Sequence, residues 1–372
     1  MKRYYIIFLL VTFFMYCDRL EKPAKKEGNG ILNIKIDYSK LDSSVTVSPD
    51  STYVEAKSEL RVYNGYTNED GEISFNNLIS GLYTISFNKI YLNNRYIGGG
   101  GSINIMSSQT VDTVFTAFLI EPGIKINEIF AAWSQNDILY YHDQFIELYN
   151  ASDDTLYLDG MIIVRGGGNV QACSDIDNDG QLENFVHAWR FPGKPVSKLY
   201  NRTKGDYPIY PHQFVILATD ARDHTEYVPN SVDLSHADWE FVNKKDYADY
   251  DTPSVPNIIC LRDDYSSDFM YAGTSDIILL CTGEDAVPDE NSKYPLGVED
   301  GIAIETIIDG VEYQSSSTSL KTLDSRVDKG FTGVGINSYS GKSMQRIMPG
   351  FDTNNSSIDF KILLKPTPGY QE

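Results

Sequence analysis

The 372-residue chain contains few of the residues from which common catalytic and metal sites are built. It has four cysteines, five histidines and three tryptophans. No Cys-x-x-Cys pair occurs, which disfavours a zinc knuckle or a thioredoxin-like redox site. No Gly-x-Ser-x-Gly nucleophile elbow occurs either. Five residues rather than four separate Gly335 from Gly341-Lys342-Ser343, so that segment is not a phosphate-binding P-loop.

Positive charge is also scarce. Lys and Arg number 31 against 52 Asp and Glu, which gives a formal net charge of -21. Nucleic acids and anionic lipid surfaces are bound by clustered Lys and Arg, so this balance argues against both as partners. No segment after the N-terminal leader reaches the ~18 apolar residues of a membrane-spanning helix. An apolar content of 41% suffices for buried cores, and the length suggests two domains.

The N-terminus carries an export signal. Two basic residues and an apolar run from Ile6 to Tyr16 precede Cys17. This pattern predicts a signal peptide over residues 1–16. A cysteine at the cleavage point resembles the lipobox of bacterial lipoproteins, which implies lipidation of Cys17 and a polar tether over residues 17–30. We therefore expect a lipid-anchored protein of the cell outer membrane, on its surface or periplasmic face. The alternative is an ordinary signal peptide with an incidental cysteine.

Three cysteines remain if Cys17 is lipidated, and their state is open. Cys260 and Cys281 lie in strand-like runs and would pair across neighbouring strands in an oxidising compartment. Alternatively, these two and Cys173 are thiols that pack as small apolar side chains.

Short strands separated by turns are predicted throughout residues 31–121. Residues 31–36 alternate apolar and polar side chains, the period of a half-buried strand. Turn signals such as Asn64-Gly65 and Ser80-Gly81 separate the later runs, and no helical period lies between them. This spacing predicts an all-β chain, and Glu121-Pro122-Gly123 marks the end of its first β-sandwich domain.

One segment of this first unit resembles a known surface module. Asp70-Gly71 precedes the alternating Glu72 to Phe75, and Gly81-Leu82-Tyr83 follows. Asp-Gly supplies the positive φ that a tight hairpin turn requires. The run resembles the transthyretin-like or carboxypeptidase-regulatory-like β-sandwich, which implies that residues 31–121 form a spacer or stalk.

The remaining chain, residues 124–372, carries a second resemblance in its opening and closing segments. Both sets of segments occur in the order found in lamin-tail domains, which implies an immunoglobulin-like sandwich. The opening segments are 125–129, 143–150 and 156–160, and the closing segments are 341–347, 352–355, 359–360 and 366–369.

This second unit is far longer than a lamin-tail domain, and the excess lies between residues 165 and 341. We interpret the insertions as long loops on a sandwich scaffold, where binding residues usually lie. The two modules together resemble an uncharacterised family of Gram-negative surface lipoproteins, and this resemblance implies no activity.

An acidic segment in this insertion has the spacing of a calcium loop. Carboxylates occupy positions 1, 3, 5 and 9, Gly180 at position 6 permits the sharp bend, and position 7 offers a backbone carbonyl. Position 12 is Val186 instead of the bidentate Glu of an EF-hand, so a distant carboxylate would have to complete the site. The predicted ligands of a structural Ca2+ are Asp175, Asp177, Asp179, Gln181 and Glu183. The alternative is an acidic turn without an ion.

A second group of potential ligands follows a predicted strand. A hydrolytic metal site needs nitrogen and oxygen ligands that converge on one ion. The spacing matches no short ligand motif, and most such histidines are simply hydrogen-bonded. The residues are His212, His224 and His236 with Asp220, Asp223 and Asp238.

Aromatic residues beside Asp and Asn suggest ligand binding. Trp133, Trp189 and Trp239 lie in predicted loops, as do Tyr140, Tyr141 and Tyr250 among others. Exposed aromatic faces beside polar groups bind sugars and protein partners. The alternative is that they pack their own loops.

These features predict a non-catalytic cell-surface lipoprotein that presents loop aromatics to a carbohydrate or protein ligand. One alternative is a structural subunit of an outer-membrane nutrient-uptake complex, with a β-barrel as its partner. A second alternative is a metal-dependent hydrolase that uses the histidine group.

Overall fold

The computed structural model describes most of the chain after the N-terminal leader. It covers residues 28–41, 45–58, 60–91, 95–166, 173–183, 185, 187–196, 203–244, 249–261, 269–284 and 301–371. The predicted signal peptide, Cys17 and Val186 lie outside the described residues. Within those residues, no helix has both the length and the hydropathy of a membrane span.

Eight strands form the N-terminal part. Their bounds are β1 (Gly30–Asp37), β2 (Tyr53–Lys57), β3 (Val62–Tyr66), β4 (Glu72–Leu78), β5 (Gly81–Tyr91), β6 (Arg95–Ile105), β7 (Thr110–Thr116) and β8 (Phe118–Ile120). They make one sheet of order β4-β1-β7 and one of order β3-β2-β5-β6-β8.

The two N-terminal sheets enclose one apolar core. Alternate residues of β1, Leu32, Ile34 and Ile36, are buried against Tyr83 and Phe87 of β5. The turn between β3 and β4 bends at Gly71, whose φ of 75° is the left-handed conformation that glycine adopts without strain. The apolar face of the alternating strand β1 therefore lies in this core, as its sequence predicts.

The C-terminal part contains fifteen further strands and short helical turns among the described residues. They are β9 (Ile124–Phe130), β10 (Phe145–Asn150), β11 (Leu156–Tyr157), β12 (Ile162–Arg165), β13 (Gln181–Leu182), β14 (His187–Arg190), β15 (Pro208–Ile209), β16 (Phe214–Ala218), β17 (Trp239–Val242), β18 (Asn257–Cys260), β19 (Ser275–Cys281), β20 (Ile302–Ala303), β21 (Ile307–Gln314), β22 (Ser343–Arg346) and β23 (Phe360–Leu363), with 3-10 turns at His224–Glu226 and Ile304–Thr306 and a helix α1 at Ser356–Asp359.

Eleven of these strands form one large curled sheet. Its order is β21-β19-β12-β14-β18-β17-β16-β10-β9-β22-β23. Strand makes up 43% of the structure and helix 3%, which confirms the predicted all-β class. In the described residues, no sheet combines strands from both sides of Glu121-Pro122-Gly123.

The large sheet is buried on both faces. Ile163, Trp189 and Ile278 point into the main core, whereas their strand neighbours Ile162 and Ile277 pack into a second core. Leu182 and Leu323 lie in that second core, so the segments that carry them cover the outer face of the sheet. This cover explains why every residue of β19 is buried.

The curl brings β21 at one edge of the sheet against β9 near the other edge. Asp309 of β21 accepts a hydrogen bond from the Ile126 amide at 2.7 Å and one from the Arg346 guanidinium at 2.7 Å. Arg346, 1% exposed, also donates to the carbonyl oxygens of Ile126 and Phe351. We call these hydrogen bonds of Arg346 and Asp309 the closing contact, because they join β21 to β9, two strands that are not paired with each other.

More charges surround the closing contact. Lys125 donates to Asp352 at 2.7 Å, and an oxygen of Asp352 lies 3.5 Å from Arg346. Burial opposes ionisation of Asp352, yet Arg346 and Lys125 lower the pKa of its carboxyl below the ordinary value. Burial raises the pKa of Asp359 to about 7. The cluster is thus a set of buried charges in which each cation faces at least one carboxylate.

A pair of buried glutamates lies beside the cluster on β9 and β10. Glu128 and Glu147 are cross-strand neighbours, next to a bulge at Asn127. Glu128 accepts hydrogen bonds from Thr367, and Glu147 accepts one from the Gly369 amide at 2.5 Å. Burial raises the pKa of both carboxyls, that of Glu147 to about 8. Segments 125–129 and 143–150, near the start of the C-terminal part, therefore contact segment 366–369 at its end.

The cysteines in the described residues are thiols. No disulfide joins Cys260 and Cys281, and the Cys260 sulfur lies 3.2 Å from Nε2 of His187. Cys173 and Cys281 are buried, and burial raises the pKa of the Cys173 thiol to about 12. Buried thiols of this kind pack as small apolar side chains.

Loss of the closing contact should destabilise the protein strongly. Replacing Arg346 with Met leaves Asp309 buried without its cation, and removal of one partner of a buried ion pair costs about 3–5 kcal/mol. We expect urea unfolding of Arg346→Met to show a loss of that size. The matched control is Arg326→Met, since Arg326 is 52% exposed and its loss should change the midpoint far less. Equal midpoints for the two variants would contradict the structure.

Candidate functional site

The structure corrects the placement of the predicted ligand-binding tryptophans. Trp189 is fully buried on β14 and Trp239 is 6% exposed on β17. Both were expected in loops, but they lie on strands of the doubly covered sheet and pack in its main core. Trp133 is half-buried and packs against Tyr339, with ring centroids 5.0 Å apart. Trp189 and Trp239 therefore present no ring to a ligand, whereas Trp133 is partly accessible and contacts the Tyr339 ring.

The predicted histidine group does not assemble. His212 contacts Asp153 and Tyr149, His224 is buried, and His236 is exposed. Asp223 caps the 3-10 turn at His224–Glu226, and Asp238 accepts from the Ile216 amide. In the described part of the chain these six residues form no cluster of metal-ligating side chains. The described structure therefore gives no support to the alternative of a hydrolytic metal site at this group.

The acidic loop, residues 175–183, does bring its carboxylates together. One oxygen from each of Asp175, Asp177, Asp179 and Glu183 lies within 4.8 Å of the others. The backbone and side-chain amides of Gln181 both donate to Asp179. No carboxylate from elsewhere in the described residues joins this group. The distant carboxylate that we expect to complete a calcium site is therefore not part of this group among the described residues.

A different set of aromatic residues lies at the surface, where three loops meet. We call Tyr140, Tyr141, Arg222, Tyr227 and Tyr250 the aromatic face. The rings of Tyr140 and Tyr227 are parallel, with centroids 5.7 Å apart. The guanidinium of Arg222 lies 4.1 Å from the Tyr227 centroid and 4.4 Å from that of Tyr250. Stacking thus continues from loop to loop.

Much of this face is accessible to solvent. Tyr141 is 40% exposed, Tyr227 47% and Tyr250 42%. The neighbouring Ile138 and Leu139 are more than half exposed. Large aromatic and aliphatic side chains that remain exposed together are characteristic of binding surfaces.

Buried polar residues fix the first loop of the face. Gln144 donates to the carbonyl oxygens of Ala131 and Tyr271 at 2.7 and 2.9 Å. Asp143 accepts from the Ser134 amide and the Ser231 hydroxyl. Because the two residues are fully buried, the loop between strands β9 and β10 is held at both ends.

His224 fixes the second loop to the first. Its Nδ1 lies 2.6 Å from the Tyr140 hydroxyl and its Nε2 lies 2.9 Å from the Asp220 carbonyl oxygen. Burial lowers the pKa of His224 to about 4, so the ring is neutral at pH 7. The neutral ring donates from Nε2 to the carbonyl and accepts the Tyr140 proton at Nδ1. His224 is therefore an anchor for Tyr140.

Glu240 joins the third loop to the second. It is fully buried on β17 and accepts from the amides of Ala221 and Thr252, each at 2.6 Å. Arg222 follows Ala221 directly, and Tyr250 lies two residues before Thr252. The Glu240 carboxylate therefore helps to set the distance between the Arg222 guanidinium and the Tyr250 ring.

Sequence reasoning identified part of the aromatic face. The sequence predicts Tyr140, Tyr141 and Tyr250 as loop aromatics but does not single out Arg222 or Tyr227. Neither of these has a distinguishing local pattern, because the stack forms between residues of different loops. The face offers rings, a cation and aliphatic groups for recognition.

Comparisons with known proteins show the fold and assign no activity. A family model described as a protein of unknown function, DUF4876, matches residues 210–367. A DUF4876 family protein from Bacteroides thetaiotaomicron VPI-5482 has a similar structure, with 19% identity, a TM-score of 0.54 and coverage of 89% of this chain and 94% of that chain. A DUF3823 family protein from Parabacteroides merdae ATCC 43184 matches at 12% identity and TM-score 0.19, over 55% of this chain and 86% of that one. No curated protein matches.

Burial of neutral His224 should make stability depend on pH. Its pKa is about 4 in the folded chain against about 6.5 when unfolded, so acid favours the unfolded state as pH falls from 6.5 towards 4. From pH 7 to pH 5 we expect the wild type to lose about 2 kcal/mol more than His224→Gln in urea unfolding.

The control for this measurement is His236→Gln, which replaces an exposed histidine. It should retain the wild-type loss. Identical pH profiles for His224→Gln and the wild type would rule out a buried neutral ring.

Proposed function

We propose that this protein is a non-catalytic, lipid-anchored protein of the outer membrane that binds a protein partner through the aromatic face. The observation that carries the proposal is the exposed stack of Tyr227, Arg222 and Tyr250 on loops held by buried polar anchors. The sequence supports the anchoring through Cys17, and residues 31–121 would then act as the spacer.

The composition of the face favours a protein over a sugar. Tyrosine and arginine are enriched among the residues that dominate protein interfaces. Ile138 and Leu139 beside Tyr141 add exposed aliphatic surface, which a polar saccharide would leave poorly used. Arg222 already covers one side of the Tyr227 and Tyr250 rings, so those sides offer no platform for a sugar ring.

Charge indicates the kind of partner surface. Each loop of the face carries an exposed carboxylate, namely Asp137, Glu226 and Asp251. The whole chain has a net charge of -21. An apolar partner surface with a basic rim would complement this arrangement and would be steered towards it over longer distances.

The rigidity of the loops also supports binding. Asp143, His224 and Glu240 fix the three loops by hydrogen bonds at the base of the face. A surface that is ordered before binding loses less conformational entropy when the complex forms. Loops on a rigid β-scaffold are where binding residues usually lie.

Truncation of exposed tyrosines should weaken partner binding without loss of the fold. We expect Tyr141→Ala and Tyr227→Ala each to lower affinity at least about tenfold, since aromatic anchors at interfaces often contribute 2 kcal/mol or more. The tagged full chain is captured from detergent-solubilised outer membranes, the co-purified partner is identified, and its affinity for each variant is measured by biolayer interferometry.

The matched control is Tyr210→Ala, which removes another tyrosine that is 58% exposed but lies outside the face. It should bind like the wild type. Wild-type affinity for the partner in Tyr141→Ala and Tyr227→Ala, as in Tyr210→Ala, would refute the role of the face. Binding to immobilised glycans that is lost only in the face variants would instead assign a carbohydrate ligand. A stoichiometric β-barrel partner would instead support the alternative function, a structural subunit of an outer-membrane nutrient-uptake complex.

A further inference from the structure

The acidic loop shows a second feature, independent of the aromatic face, that calls for a ligand. Asp175 is 3% exposed in its side chain. Its Oδ2 accepts from the Gly180 amide at 3.2 Å and from Arg326 at 2.9 Å. Its Oδ1 is buried and accepts no hydrogen bond from the described residues. A buried carboxylate oxygen without a donor is costly unless a cation takes its place.

The other carboxylates of the loop surround the same point. An oxygen of Asp177, Asp179 and Glu183 lies within 4.8 Å of an oxygen of Asp175 and of one another. Such like charges repel at this separation, and Arg326 is bonded to only one of the four. A divalent cation between them would relieve the repulsion and would supply Asp175 Oδ1 with a partner.

We propose that the acidic loop binds one Ca2+ through Asp175, Asp177, Asp179 and Glu183. Ca2+ takes six to eight hard oxygen ligands in flexible geometry, whereas Mg2+ requires a near-ideal octahedron. Asp177 and Asp179 are exposed, so water completes the coordination on the solvent side. Four protein carboxylates without the position-12 glutamate make this a weak site, with a dissociation constant on the order of 10⁻⁴ to 10⁻³ M, as in extracellular modules.

The ion would stabilise the cover of the second core. Leu182 at the end of the loop packs in that core, and β13 pairs with β20 at Gln181 and Ala303. The Ile304 amide donates to the Gly180 carbonyl at 3.1 Å. Fixing the loop therefore fixes the segment that covers β19, and added Ca2+ should raise the melting temperature.

Calorimetric titration of the purified full chain with CaCl2, after removal of metal by a chelator, tests the site. The wild type should give one saturable heat, and Asp177→Asn should weaken Ca2+ binding at least about tenfold through the loss of one charged ligand. Asp154→Asn is the matched control, since it removes the same charge from an exposed position outside the loop. It should bind Ca2+ like the wild type.

A second readout is the melting temperature with and without CaCl2. It should rise for the wild type and Asp154→Asn and stay constant for Asp177→Asn. Absence of saturable heat in the wild type, full binding by Asp177→Asn, or equal affinity for MgCl2 would each overturn the calcium proposal. None of these results would affect the aromatic face, whose test uses different residues.

Discussion

The hydrogen-bonded guanidinium of Arg346 is the interaction on which the C-terminal fold depends. It joins Asp309 on β21 to the backbone of β9, two strands that share no ladder. The curl of the eleven-stranded sheet brings the edge strand β21 against β9, which is third from the opposite edge, and side chains make the link there. Because Arg346 and Asp309 are buried, loss of Arg346 would leave Asp309 without the cation that donates to it.

Strand order determines where the loops lie. The fixed ends of β9 and β10 carry the loop of Tyr140 and Tyr141, and β16 and β17 carry the loop of Arg222 and Tyr227. These four strands are consecutive neighbours in the sheet. Their loops thus leave the scaffold side by side, and buried His224 binds them to one another, whereas Glu240 binds the second loop to the third. The aromatic face is a consequence of strand order as much as of loop sequence.

Parts of this arrangement could be predicted from the sequence, for physical reasons. Alternation in β1 reports burial of one face directly, so the N-terminal strands and the all-β class were predictable. Trp189 and Trp239 were misplaced because β14 and β17 are covered on both faces and show no alternation. Asp309 could not be identified as the partner of Arg346, since nothing local marks contacts between residues that are distant in sequence. The same holds for Arg222 and Tyr227.

Hydrogen–deuterium exchange of the full chain tests the closure most directly. The Ile126 amide donates to Asp309, and the Thr367 and Gly369 amides donate to buried glutamates. If these contacts close the sheet, the Ile126, Thr367 and Gly369 amides should exchange as slowly as those of the fully buried strand β19, because all would open only on global unfolding. Exchange of the C-terminal peptide within seconds, while β19 stays protected, would contradict the account.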